Sequence, residues 1–288
     1  MKDAARLLAY LLGTVLLGAL LAPPMYWFAH GRFSAFANVD FESFFHRALL
    51  LAAIALLWPL LRSLGIRSIR DLGLERNERW LRDVAAGFAL AAIPLLCAGA
   101  IAVALRVYTL RHHVDLARLL PVIGAAIAAP AIEETFFRGL VLGVLLRTRQ
   151  KYMSIFATSA LFSIIHFLKA PDATSPVVTW MSGFNSIAHA FAQFTEPMLV
   201  LAAFTTLFVL GWILADARIE TRSLWLPIGL HSGWILAAGV FNKLTRRQIL
   251  ALPWLGKNLL IGIVPLALGL LTWGLVRLWL RYDQRRKT

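Results

Sequence analysis

Long apolar runs separated by short polar links recur along the whole chain. A helix crossing an apolar layer about 30 Å thick needs roughly 20 residues at 1.5 Å each. On that scale the sequence predicts membrane-crossing helices over 7–28, 48–64, 84–107, 119–146, 152–168, 197–215, 223–241 and 258–280. The expected fold is all-α, a polytopic membrane helix bundle of about eight transmembrane helices, with residues 1–288 as a single membrane domain. The first run follows Lys2 and Arg6 but is longer than the apolar region of a secretory signal, and further spans follow it, so it is read as retained. The link 169–196 holds Pro171, Asp172, Pro176, Asn185 and His189 among apolar residues, which suits a re-entrant or interfacial segment beside a cavity.

Composition sharpens this picture. Of 288 residues 59% are hydrophobic and 15% charged, whereas a soluble domain covers its surface with about 25% charged residues. The single cysteine, Cys97, excludes an intramolecular disulfide and speaks against a thiolate metal cluster. The net charge of +14 sits in the links rather than in a basic domain, so it offers no footprint for nucleic acid. It is read instead as membrane topology and attraction to anionic headgroups of the lipid bilayer. Basic residues concentrate in the links around 62–82, 147–151 and 218–222 and near both chain ends. That bias predicts a multi-pass protein of the cell membrane with both termini cytoplasmic, and the membrane is expected to be a bacterial inner one.

The candidate chemistry lies where charge is most costly. An ionisable group at the centre of a membrane helix costs at least about 2.5–3.5 kcal/mol and is a functional suspect by default. Glu133 and Glu134 stand in Pro130-Ala-Ile-Glu-Glu-Thr-Phe-Phe-Arg138-Gly, and only His166 and His231 among the seven histidines fall inside predicted spans. Glu134 and Arg138, at i and i+4, share a face and can form an ion pair. Glu133 is turned about 100° away, so the two carboxylates receive different surroundings, and Glu133 is left able to act as a general base. Pro130 lacks an N–H, which predicts a kink or helix start there. The Glu134–Arg138 pair also has a purely structural reading as a packing device, and His166 or His231 can serve as an interhelical hydrogen-bonding group. His30, His46, His112, His113 and His189 are read as loop or interfacial residues.

Glu133-Glu134-x-x-x-Arg138, then Phe162-x-x-x-His166, then His231 in a later run, resembles the CPBP (CAAX protease and bacteriocin-processing, or Abi) family of intramembrane endopeptidases. The resemblance covers about 119–241, which would be the catalytic core. It implies hydrolysis of a peptide bond in a membrane-bound peptide or protein, lipidated in the CAAX case, without a cofactor. By the same resemblance Glu133 would activate the attacking water with His166 assisting, His231 would be the oxyanion donor, and Glu134 and Arg138 would order the site. Phe162, one turn before His166, would pack against the site or against a lipidated substrate. Members of the family commonly have Asn or Asp four residues after the last histidine, where this chain has Ile235. Loss of one oxyanion donor costs other hydrolases about 10²–10³ in rate.

Two other readings use the same residues. A divalent metal such as zinc could be held by Glu133, His166 and His231, which would make the chain a metal-dependent intramembrane protease. Intramembrane Glu, Arg and His also build the proton relays of transporters, and a non-catalytic immunity protein is a further alternative. The chain has no second Glu-Glu-x-x-x-Arg, which counts against a transporter of two repeated halves. The sequence carries no signal of oligomeric state.

Overall fold

Each predicted run becomes a helix. The computed structural model describes residues 2–36, 38–113, 115–167, 177–190, 197–248, 254, 259 and 262–285. In chain order its helices are α1 Lys2–Arg32, α2 Phe41–Ser63, α3 Trp80–Ala104 and α4 Leu120–Glu134, the last continued by a π-helical turn Thr135–Val141 and by α5 Leu142–Leu146. There follow α6 Lys151–Phe167, a short α7 Ser182–Ala190, α8 Pro197–Thr221, α9 Trp225–Leu244 and α10 Ile263–Arg285. Two short strands, β1 Tyr108–Leu110 and β2 Thr245–Arg247, pair antiparallel with Thr109 opposite Arg246 and tie the end of α3 to the end of α9.

Six helical segments are long and apolar enough to cross a membrane: Lys2–Arg32, Phe41–Ser63, Trp80–Ala104, Leu116–Leu146, Val200–Thr221 and Ile263–Asp283. The helices that carry the two candidate histidines fall outside that set for physical reasons. α6 has only 17 residues, and α9 includes His231 and ends on Asn242 and Lys243. The chain is an all-α, multi-pass membrane protein. Of the link expected to be re-entrant, Pro171, Asp172 and Pro176 lie outside the described residues, while Asn185 and His189 belong to α7.

The chain divides into two compact units, Met1–Arg67 with Ile164–Pro197, and Ser68–Ser163 with Met198–Thr288. Lipid tails are as apolar as leucine, so helices in a membrane associate by close packing of small residues rather than by the hydrophobic effect. In the first unit Ala19, Ala22, Ala48 and Ala52 are fully buried, and a Cβ on Gly18 would come within 2.9 Å of Leu49 Cα. α2 begins earlier than expected because Glu42 is absorbed into it, buried and accepting a hydrogen bond from Ser186 Oγ of α7 at 2.9 Å.

In the second unit α3 and α9 meet through glycine. A Cβ on Gly87 would lie 2.5 Å from Leu226 O, one on Gly233 2.5 Å from Phe88 O, and Gly229 sits against the Val84 carbonyl. Gly229-x-x-x-Gly233 is thus a small-residue motif seated on α3. His231 follows Gly229 by about 200° and precedes Gly233 by the same turn, so the contact that pins α9 to α3 turns His231 to the opposite side of its helix.

Candidate active site

Four of the five candidate residues assemble within the second unit. Glu134 and Arg138 have no exposed surface at all, His231 is 8% exposed, and the Glu133 side chain is 30% exposed. Arg138 Nη1 donates to Glu134 Oε1 at 2.9 Å, and Nη2 donates to the Gly211 carbonyl of α8 at 3.1 Å. An ionised carboxylate only accepts, so His231 Nδ1–H donates to the same Glu134 Oε1, at 2.8 Å. The ring's other nitrogen, Nε2, then faces Glu133 Oε2 at 4.0 Å. The result is a chain of contacts from Gly211 through Arg138, Glu134 and His231 to Glu133, buried at one end and accessible at the other.

Local backbone geometry makes the chain possible. The sequence predicts a kink or helix start at Pro130; α4 begins at Leu120 and runs through that residue, so no helix starts there. The departure from α geometry comes later, in the π-helical turn Thr135–Val141 that directly follows Glu134 and contains Arg138. Such turns bond i to i+5, widen the helix locally and often accompany functional sites. Gly139, next to Arg138, packs against the Leu72 carbonyl, 3.0 Å from where its Cβ would stand. On the α8 side, Gly211 has no side chain to hold α6 away, and a Cβ there would meet Ser159 at 3.2 Å and Phe162 at 3.4 Å.

Aromatic rings close the polar chain on its buried side. The Arg138 guanidinium lies over the Phe162 ring, 4.4 Å from the centroid, an arrangement that stabilises a desolvated cation. Phe162 also meets the His231 ring edge to face at 6.0 Å and packs against Phe137 at 5.2 Å. The expected packing of Phe162 against the site is therefore present.

Burying an ion pair costs several kcal/mol per charge unless extra hydrogen bonds compensate. Here compensation is partial: Glu134 Oε2 and Arg138 Nε have no hydrogen-bond partner among the described residues. A pair used only for packing would be cheaper if replaced by apolar side chains of similar volume. The arrangement instead holds one face of His231 rigidly and leaves the other toward Glu133, as carboxylate–histidine pairs do when they orient an imidazole.

His166 has a different setting. It lies on the last turn of α6, in the segment Ile164–Pro197 that belongs to the first unit, and it is exposed. Ile235, one turn beyond His231 on α9, is half-buried. Among the described residues no three His, Cys, Asp or Glu side chains are arranged to hold a metal ion.

The sequence reading missed three features of this unit, two at the site and one, Asp216, away from it. The Gly211 carbonyl carries no side-chain signal. The Gly229-x-x-x-Gly233 motif was legible and points to the seam that aims His231. Asp216 was placed just past the end of a span, but α8 continues to Thr221 and buries it, with Trp273 Nε1 donating at 2.9 Å and Arg277 Nη2 at 2.6 Å.

Residues 115–237 match a protein-family model described as type II CAAX prenyl endopeptidase Rce1-like. No curated protein and no solved structure matches the chain significantly. The matched segment contains Glu133, Glu134, Arg138, His166 and His231. Residues 115–237 thus resemble an Rce1-like domain, consistent with the CAAX protease family, and the chain is a membrane-embedded protease.

Proposed function

We propose that the chain hydrolyses a peptide bond in a membrane-associated or lipidated substrate by means of a water activated by Glu133. The observation that carries this reading is the buried Arg138–Glu134–His231 chain, which ends with His231 Nε2 4.0 Å from the Glu133 carboxylate. That gap is too long for a direct hydrogen bond and is of the size a single bridging water spans. In the reaction Glu133 takes a proton from the water as its oxygen adds to the scissile carbonyl. The carbonyl becomes an oxyanion, and Glu133 returns the proton to the departing amine as the C–N bond breaks.

His231 serves as the oxyanion donor through Nε2–H. This role requires a proton on both ring nitrogens, with Glu134 accepting from the second, so Glu134 and Arg138 act by orienting His231. The site works without a cofactor, and the protein lies in a bacterial inner membrane with both termini in the cytoplasm.

The test is cleavage of a membrane-anchored peptide by purified protein and by Glu133→Gln, each with and without a strong chelator. Loss of cleavage in Glu133→Gln together with indifference to chelator is the expected result. Cleavage that stops on chelation would move Glu133, His166 and His231 to the role of metal ligands. Cleavage retained in Glu133→Gln would remove that residue from the reaction.

A further inference from the structure

At one end of the second unit, the link before α3 and the α8–α9 junction line an open surface cavity of about 730 Å³, a size typical of small-ligand sites. Arg70, Arg76, Arg79 and Arg222 line it, with Glu75 and Glu78 as the acids among its lining residues. Those acids neutralise little. Arg70 and Glu75 are 3.9 Å apart and largely exposed, a geometry worth at most about 1 kcal/mol. Arg79 is shared with Asp283 at 3.3 Å, and no carboxylate pairs with Arg76 or Arg222 among the described residues. Arg222 is held at φ 55°, in the left-handed region that residues with side chains rarely adopt. Behind the cavity wall Arg218 packs on Gly73, and its Nε has no hydrogen-bond partner among the described residues.

The wall itself is built. Leu224 N–H donates to the Gly73 carbonyl at 3.0 Å, and Trp225 Nε1 donates to the Glu75 carbonyl at 2.9 Å. Trp225 also packs against Trp80 at 5.3 Å, and the Arg76 guanidinium lies over the Trp80 ring at 5.3 Å. Tryptophans of membrane proteins concentrate at the level of the lipid headgroups, so this pair sets the cavity at that depth.

We propose that this arginine-lined cavity binds a phosphate-bearing anion, the headgroup of an anionic membrane lipid. Guanidinium forks match phosphate oxygens in pairs, and basic pockets beside membrane helices attract anionic headgroups. The site is separate from Glu133 and His231, so it stands whether or not the proteolytic mechanism is right.

The experiment follows the apparent melting midpoint of the full-length protein in detergent as dioleoyl phosphatidic acid, dioleoyl phosphatidylcholine or inorganic phosphate is added. A ligand that binds only the folded state raises the midpoint in proportion to its occupancy. The expected result is a saturable rise with phosphatidic acid and none with phosphatidylcholine. Arg76→Gln/Arg222→Gln should need at least about tenfold more phosphatidic acid for the same shift, given the strength of hydrogen bonds to charged groups. Arg281→Gln, outside this cavity, should respond like the wild type. If the double variant is poorly folded, Asn77→Asp tests the same point by placing a negative charge in the cavity, and it too should weaken the response. An unchanged response in these cavity variants, or no rise in the wild type, overturns the proposal. An equal rise with inorganic phosphate alone overturns the lipid as its source.

Discussion

Two acid–arginine pairs with buried carboxylates stand in the same unit of the protein, and they differ in where their charge leads. Glu134 and Arg138 are one turn apart on one helical stretch, and both are completely buried. Asp216 and Arg277 come from α8 and α10, with side chains 3% and 38% exposed. The second pair is compensated on both carboxylate oxygens, by Arg277 and by Trp273 Nε1. Arg277 continues outward to Glu220 at 3.4 Å, and Glu220 to Lys151 at 3.2 Å. Such a network dissipates its charge into solvent and clamps helices together. The first pair leaves a carboxylate oxygen and a guanidine nitrogen without partners among the described residues, donates to the Gly211 carbonyl, and accepts a hydrogen bond from a histidine that faces a second carboxylate. Similar charges therefore give a strut in one place and a poised site in the other, and hydrogen-bond completeness separates the two.

Substitutions can break or sharpen that contrast. The largest effect is expected from Glu133→Gln. Cleavage of a membrane-anchored peptide should fall by about 10²–10⁴, the contribution of a positioned general base, while the melting midpoint stays near that of the wild type because Glu133 is partly exposed. A midpoint that fell along with the rate would instead make Glu133 a structural residue. Arg138→Gln comes next. It strands Glu134 in the interior, at a cost of about 3–5 kcal/mol for a buried pair that loses one partner, visible both as a lower denaturation midpoint and as lost cleavage. Near-normal stability in this variant would show that water reaches Glu134.

Asp216→Asn should cost about 1.5–3 kcal/mol, the worth of hydrogen bonds to a charged group, with cleavage per folded molecule unchanged. A drop in rate without a drop in stability would tie the α8–α10 clamp to the reaction and erase the distinction. The smallest effect belongs to Lys151→Ala, at about 0–1 kcal/mol for a solvent-screened pair. Chemical denaturation of the two proteins side by side measures it, and a cost well above that range would mean that the Lys151–Glu220 contact is shielded from solvent.

Much of this was legible in the chain because membrane helices carry their own instructions. Backbone groups in lipid must be satisfied within the segment, so length and apolarity alone placed helices at every predicted position. The Glu134–Arg138 contact was legible for a related reason, since i,i+4 spacing is local geometry. Other features were not. Boundaries moved wherever a polar residue found a partner from a distant helix, as Glu42 did with Ser186 and Asp216 with Trp273 and Arg277. A kink or helix start was expected at Pro130, the residue with an obvious steric signature, whereas the π-helical turn at Thr135–Val141 has no comparable mark in its composition.

The sequence by itself determined an all-helical membrane protein, the local pairing of Glu134 with Arg138, and the motifs within residues 115–237, the segment that matches the Rce1-like family model. Only the tertiary structure decided that His231 donates to Glu134 with one nitrogen and faces Glu133 with the other. The physical reason is distance along the chain. Helical periodicity relates residues a few positions apart, but the approach of α9 to α4 depends on glycines that let α9 press against α3, and no local rule carries a contact between residues nearly a hundred positions apart.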